Sequence, residues 1–226
     1  MELYIDGANV EKIKELVEYY PIDGVTTNPS ILAKTKKDPT EVLKEIRSII
    51  LDRTLFVQAV ALDAEGMVED AKNIVKLLGA HTVVKIPSVK EGYKAMKMLK
   101  EEGIPVCATV IYTPMQAYLA AKSGAAYVAP YVNRIDNMGY DGVKVVEEIQ
   151  EILVNNHYDD CKVLAASFKN SQQVKELAMV GVGASTCAPD VIEGFIKNAA
   201  IDAAVNDFVN DFEGLTGKKD FTSVIH

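Results

Sequence analysis

Thr82-Val83-Val84-Lys85-Ile86-Pro87 is a run of β-branched residues closed by a proline, the composition of a strand buried on both faces. Such strands belong to parallel sheets covered by helices on each side. Lysine is almost never fully buried without a reason, yet Lys85 stands inside this run. Two readings fit the stretch by itself. The lysine can sit at a strand end, its stem packed and its head in water. Alternatively the head is buried, which disfavours an ammonium and leaves a nucleophilic amine of the kind that condenses with ketones.

Outward from this run, short apolar stretches alternate with helical patterns. On its N-terminal side lie strands at Leu3–Asp6, Gly24–Pro29 and Leu55–Ala59. They are separated by a helix at Val10–Tyr19 behind the N-cap Asn9, a turn of helix from Pro29, a helix opened by Asp38-Pro39, and one at Ala64–Leu78 closed by Gly79. On its C-terminal side the spacing predicts a helix over Glu91–Glu102, a strand at Ile104–Val110, and a helix at Pro114–Lys122. A strand at Tyr127–Tyr131 follows, then a glycine-containing loop and a helix at Gly142–Val154. Next come a strand at Lys162–Ser167, a helix at Ser171–Met179, a weaker strand at Val182–Thr186 and a helix at Pro189–Lys197. Ala200–Phe212 is an additional helix, and Leu215–His226 reads as a polar tail. Strict alternation implies a parallel sheet, and eight strands favour closure. The expected fold is an α/β (β/α)8 TIM barrel, one domain over residues 1–226, with an extra C-terminal helix and tail from about residue 200. A doubly wound open sheet is the runner-up; against it, no G-x-G-x-x-G or P-loop follows any strand.

Composition narrows the function. The chain has 226 residues, 49% hydrophobic, with net charge −8, which argues against a broad nucleic-acid or anionic-membrane footprint. Cys107, Cys161 and Cys187 show no C-x-x-C spacing; they read as core residues of a reduced compartment. Met1 runs straight into a strand pattern with no signal peptide, and no apolar run approaches a membrane span, so a soluble, cytoplasmic protein is expected. His81, His157 and His226 lack metal-ligand spacing and no G-x-S-x-G elbow is present. No metal and no cofactor are expected.

In a TIM barrel the carboxyl ends of the strands ring one mouth. Those ends are Asp6, Thr26, Asn28, Gln58, Lys85, Thr109, Tyr131 and Ser167. Each has a bland explanation by itself: Asn28 can belong to a turn, Thr109 can be a β-former, Tyr131 a packed aromatic. The repeated change from apolar to polar at the same end of each strand is harder to dismiss. It turns Lys85 from a structural residue into a candidate nucleophile, with a carboxylate, a phenol and amide and hydroxyl groups around it. That set suits imine formation with a ketone, followed by cleavage or formation of a C–C bond.

The residues also carry a resemblance. Gly24-Val25-Thr26-Thr27-Asn28-Pro29-Ser30, Ala64-Glu65-Gly66-Met67, Val83-Val84-Lys85-Ile86-Pro87, the run from Tyr127 to Asp136, and Leu164-Ala165-Ala166-Ser167-Phe168-Lys169 resemble the small transaldolase-like class I aldolases over nearly the whole chain. Gln58 and Tyr131 match the fructose-6-phosphate aldolase branch, where transaldolases proper tend to carry glutamate and phenylalanine. Gly7 and Cys107 depart from the family pattern, which bears on substrate preference and not on imine chemistry.

The resemblance implies that Lys85 forms an imine with C2 of fructose 6-phosphate, releasing glyceraldehyde 3-phosphate and then dihydroxyacetone. It makes Tyr131 the proton relay, with Gln58 and Thr109 holding a water. Asp6 and Asn28 would bind donor hydroxyls, Thr26 would shape the same wall, and Arg134, Ser167 and Lys169 would hold the phosphate. A guanidinium and a hydroxyl suit that anion, although Arg134 could instead pair with Asp136. The family also implies a homo-decamer of two pentameric rings, with the stripe Ala203, Ala204, Val205, Phe208 and Phe212 on a neighbouring subunit; the same stripe could cover the chain's own barrel. Rival readings are a transaldolase that hands the dihydroxyacetone unit to another sugar phosphate, a barrel that binds sugar phosphates without turnover, and, less fitting, a deoxyribose-phosphate aldolase.

Overall fold

Eight parallel strands close on themselves in chain order: β1 (Glu2–Asp6), β2 (Gly24–Thr26), β3 (Thr54–Gln58), β4 (Thr82–Pro87), β5 (Val106–Ile111), β6 (Tyr127–Pro130), β7 (Lys162–Ala165) and β8 (Ala184–Cys187). The ring is sealed by β1 against β8, from Glu2 beside Ala184 to Ile5 beside Cys187. The computed structural model describes residues 1–225, and these fall into two units, the barrel of Met1–Ile192 and the stretch from Glu193 onward. Helices α1 (Val10–Tyr19), α2 (Pro29–Lys34), α3 (Pro39–Ile50), α4 (Ala64–Leu78), α5 (Lys90–Glu101), α6 (Pro114–Lys122), α7 (Val132–Asp136), α8 (Gly142–Asn155), α9 (Ser171–Val180) and α10 (Pro189–Glu193) lie between or after the strands, and α11 is Ala199–Thr216. The expected (β/α)8 barrel with an extra C-terminal helix is the fold observed.

Local chemistry explains where the helices begin. Asn9, Asn28, Asp38, Asp63, Asp141 and Asn170 each accept a hydrogen bond from a first-turn amide, satisfying donors that the helix leaves free. Alternation along each strand then builds two cores. Tyr4, Phe56, Val83, Cys107 and Leu164 fill the lumen, while Val84 and Ile86 of β4 pack outward with Met96 and Leu99 of α5. Gly92 lets α5 ride directly on β4: a Cβ there would meet the Pro87 carbonyl oxygen at 1.9 Å.

The chain departs from expectation in four places. The second strand ends at Thr26 rather than Pro29, because Asn28 and Pro29 open α2 as its cap and first residue. The loop expected after the sixth strand opens with the helix α7, because the amides of Val132 and Asn133 donate to the carbonyls of Ala166 (2.9 Å) and Ser167 (2.8 Å) on the neighbouring strand's exit. No side chain caps that turn, so it left no local signal. The helix from Pro189 stops at Glu193 rather than Lys197, with Gly194 next. The last helix runs to Thr216 rather than Phe212, taking in the start of the expected tail; the left-handed stop is Gly217, not Gly214. His226 lies outside the described residues. In the second unit α11 has no buried residue, leaves Val205 and Phe208 exposed, and stacks Phe212 on Phe221 at 4.6 Å between ring centroids. No described helix is long and apolar enough to cross a membrane.

Candidate active site

The register brings the strand ends to one mouth. Asp6 pairs with Thr26, Gln58 with Lys85, and Pro87 with Thr109. Tyr131 follows β6 directly and Ser167 lies two residues past β7, with Tyr131 bridged to the intervening Ala166. Lys85 is only 5% exposed. Its Nζ donates to the Thr27 carbonyl at 3.0 Å, and that carbonyl's residue is locked by its own amide and hydroxyl, which both donate to Phe56 O (3.0 and 2.9 Å). The head of Lys85 is therefore buried, and does not reach water as a strand-end lysine would.

Two polar groups belong to the same ring of strand ends. On one side Thr26 Oγ1 donates to Asp6 Oδ1 at 2.8 Å and lies 2.6 Å from Thr186 Oγ1. A hydroxyl has a single proton, so with Thr26 donating to Asp6, Thr186 donates to Thr26. Burial lifts the Asp6 carboxyl above the ordinary carboxylate range, against the opposing pull of Lys85, the Thr26 hydroxyl and Arg134. On the other side the Thr109 and Tyr131 hydroxyls meet at 2.7 Å, with both residues buried. Beneath them the Cys107 thiol is pushed up to about 12 by burial, an uncharged packing group.

A family model described as transaldolase/fructose-6-phosphate aldolase matches residues 3–221. The chain belongs to this family.

Within the transaldolase/fructose-6-phosphate aldolase frame the remaining site residues divide. The Arg134 guanidinium lies 4.4 Å from the Tyr131 ring centroid, stacked as guanidinium planes prefer. A Tyr112 hydrogen bond, against some desolvation, raises its already high basicity. Asp136 is not its partner, since the two carboxylate oxygens accept from the Gly142 amide (2.7 Å) and Gln173 Nε2 (2.6 Å). Arg134 lines a cavity of about 410 Å³ with Tyr112, Asn137 and Met138. Ser167 holds a left-handed backbone, φ 62°, with its carbonyl bound to the Asn133 amide. Lys169 is exposed, and its amide, not its ammonium, is tied down, by Gln173 Oε1 at 2.7 Å. Asn28 also has a local task, its Oδ1 capping α2 through the Ile31 amide at 2.9 Å. A larger cavity of about 560 Å³ opens beside Asp6, lined by Asn9, Ile31 and Lys34.

Two residues at the mouth escaped the sequence reading. Thr186 ends an expected strand, but Ser185-Thr186 in so weak a strand has the signature of ordinary packing. Tyr112 lay beyond the expected end of its strand, and its ring now stands 5.6 Å from that of Tyr131.

Proposed function

We propose that this aldolase-family enzyme cleaves and forms fructose 6-phosphate through an imine on Lys85. The single observation that carries the reading is a buried amine at the strand ends of a barrel that carries a hydroxyl pair at Thr109–Tyr131 and a carboxylate network at Asp6–Thr26–Thr186. The Lys85 amine adds to the C2 ketone, and the carbinolamine loses water to give an iminium, assisted by Asp6. Removal of the C4 hydroxyl proton breaks the C3–C4 bond, and its electron pair moves into the iminium to form an enamine. Tyr131 relays that proton, with a water held by Gln58 and Thr109; a group in this role is worth roughly two to four orders of magnitude in rate. Glyceraldehyde 3-phosphate departs, C3 is protonated, and water hydrolyses the imine to release dihydroxyacetone and free the amine. Asp6, Asn28 and Thr26 face the donor hydroxyls, while Arg134 and Ser167 take the phosphate and Lys169 adds charge at its edge.

The choice of aldolase over transaldolase rests on Gln58 and Tyr131, where glutamate and phenylalanine would signal transfer. Borohydride reduction in the presence of dihydroxyacetone is the test: the adduct is expected on Lys85. An adduct on another lysine overturns the assignment of Lys85, and no adduct at all leaves a barrel that binds sugar phosphates without turnover. Assaying free dihydroxyacetone release beside transfer to erythrose 4-phosphate in one preparation separates the two reactions, and dominant transfer makes the enzyme a transaldolase.

The same reading places the enzyme in the cytoplasm, in keeping with three buried free thiols, and assembles it as a decamer of two five-membered rings. The apolar residues of α11, none of them buried, supply the contact between subunits. Light scattering on the full chain with Phe208→Asp is expected to show a smaller particle; an unchanged mass refutes that role.

A further inference from the structure

One strand of the barrel is irregular, and it is the strand that carries Thr109. Between Ala108, paired with Val128, and Ile111, paired with Pro130, β5 holds one residue more than β6. Val110 sits in that bulge with φ 61°, a left-handed conformation that is a true outlier for a β-branched side chain. Bulges re-aim side chains near active sites, and a strained backbone persists only where its surroundings enforce it.

The extra residue decides which side chains reach the mouth. Regular alternation from Cys107 and Thr109 would send Ile111 inward over Tyr131 and Tyr112 outward. Instead Ile111 is buried in the helix-facing core, and Tyr112 sets its ring edge-on to Tyr131 at 78°. The Ile111 carbonyl, turned by the same step, accepts the Tyr131 amide at 3.2 Å. Tyr131 is thus held by Thr109 at its hydroxyl, Tyr112 at its ring and Ile111 at its backbone.

Gln116 encloses the bulge. Its Nε2 donates to the carbonyls of Val110 (3.2 Å) and Ser88 (3.4 Å), and its Oε1 accepts the amides of Tyr112 (2.9 Å) and Thr113 (3.2 Å). The capping box of α6 accounts for its bond to Thr113, but not for those to Val110, Ser88 and Tyr112. Ser88 directly follows β4, so one carboxamide ties together the exits of the strands bearing Lys85 and Thr109.

We propose that Gln116 is a positioning residue, clamping the strained Val110 bulge so that Thr109 and Tyr112 hold Tyr131 in place for proton transfer. The inference rests on the aldolase reading above, and the two are separable by experiment. Gln116→Leu removes all five hydrogen bonds of the carboxamide, the Thr113 hydroxyl's included, while touching neither Lys85 nor the Asp6 wall. It lowers kcat about tenfold to a hundredfold, the scale of a small misplacement of a catalytic group, while the borohydride adduct with dihydroxyacetone still forms to the wild-type extent. Glycine adopts the left-handed conformation without penalty, so in a Val110→Gly background the bulge no longer needs the clamp. There Gln116→Leu is expected to cost less than about threefold. An equal loss in both backgrounds overturns the clamp, because a purely structural role for Gln116 predicts independent effects. If Gln116→Leu alone does not fold, folding and turnover of the double variant support the clamp, and failure of both overturns it. A wild-type enzyme that forms no adduct sinks the aldolase reading and this inference with it; a wild type that forms it, with equal losses, sinks the clamp alone.

Discussion

Glu2 and Asp6 stand on the same face of β1, at opposite ends of the barrel lumen, and the protein drives them in opposite directions. At the closed end Glu2 accepts hydrogen bonds from Lys162 (2.7 Å), Tyr4 (2.9 Å) and Tyr127 (3.3 Å). Burial pushes its carboxyl up, but the bonds from Lys162, Tyr4 and Tyr127 outweigh that and hold it below the usual range. At the open end Asp6 has Thr26 as its hydrogen-bond donor, burial wins, and the carboxyl is raised. The lysines differ likewise: Lys162 is exposed and ion-paired, whereas Lys85 is buried and bound to a backbone carbonyl. Tyr4, Phe56 and Tyr127 stack edge to face between the two ends, with centroids 5.0 and 5.1 Å apart. The lesson is one of saturation. Three side-chain donors hold the carboxylate at the closed end and one holds that at the mouth, and that difference sets the direction in which each is shifted.

Substitutions at the two ends should therefore diverge. The largest effect is expected from Lys85→Met, which keeps the buried stem, removes the amine, and costs roughly four orders of magnitude or more in turnover; measurable fructose 6-phosphate cleavage by this variant would break the contrast. Tyr131→Phe is expected to lower kcat by about two to three orders of magnitude while borohydride still traps the imine. Asp6→Asn should reduce kcat by about tenfold to a hundredfold through a lost charged hydrogen bond, and yet raise the thermal midpoint at pH 7. The sign follows from linkage: a carboxyl with a raised folded pKa destabilises the fold when ionised, and the penalty fades as pH falls below both folded and unfolded values. The stability gain of Asp6→Asn should shrink in acid accordingly. Glu2→Ala should leave kcat unchanged and cost about 1–2 kcal/mol at pH 7 in urea unfolding. Its lowered folded pKa gives stability present above the ordinary carboxylate range and lost as pH falls through the folded value, so the deficit should shrink as the solution is made acid. Equal pH dependence in the two variants would undo the comparison.

The strands and most helices were legible in the sequence because alternation, N-caps and prolines are local signals. Most of the mouth was legible for the same reason, since a strand's last polar residue is visible in one dimension. What escaped depends on neighbours. The helix α7 is started by carbonyls of another strand's exit, residues distant in sequence. The side on which Tyr112 projects is set by an extra residue in β5 that alternation has no means to reveal. Whether Arg134 pairs with Asp136 turned on Gly142 and Gln173, which occupy that carboxylate.

The seam between β1 and β8 has a kinetic consequence. Thr26 and Thr186 are brought together only when the first and last strands meet, so the wall proposed to bind the donor does not exist in any shorter intermediate. Contacts of such sequence separation form late and slowly. A chain still emerging during synthesis, or refolding from denaturant, can bury Lys85 between β3 and β5 before it can hold a substrate. Recovery of turnover should thus lag recovery of secondary structure, and enzyme activity becomes a clock for ring closure.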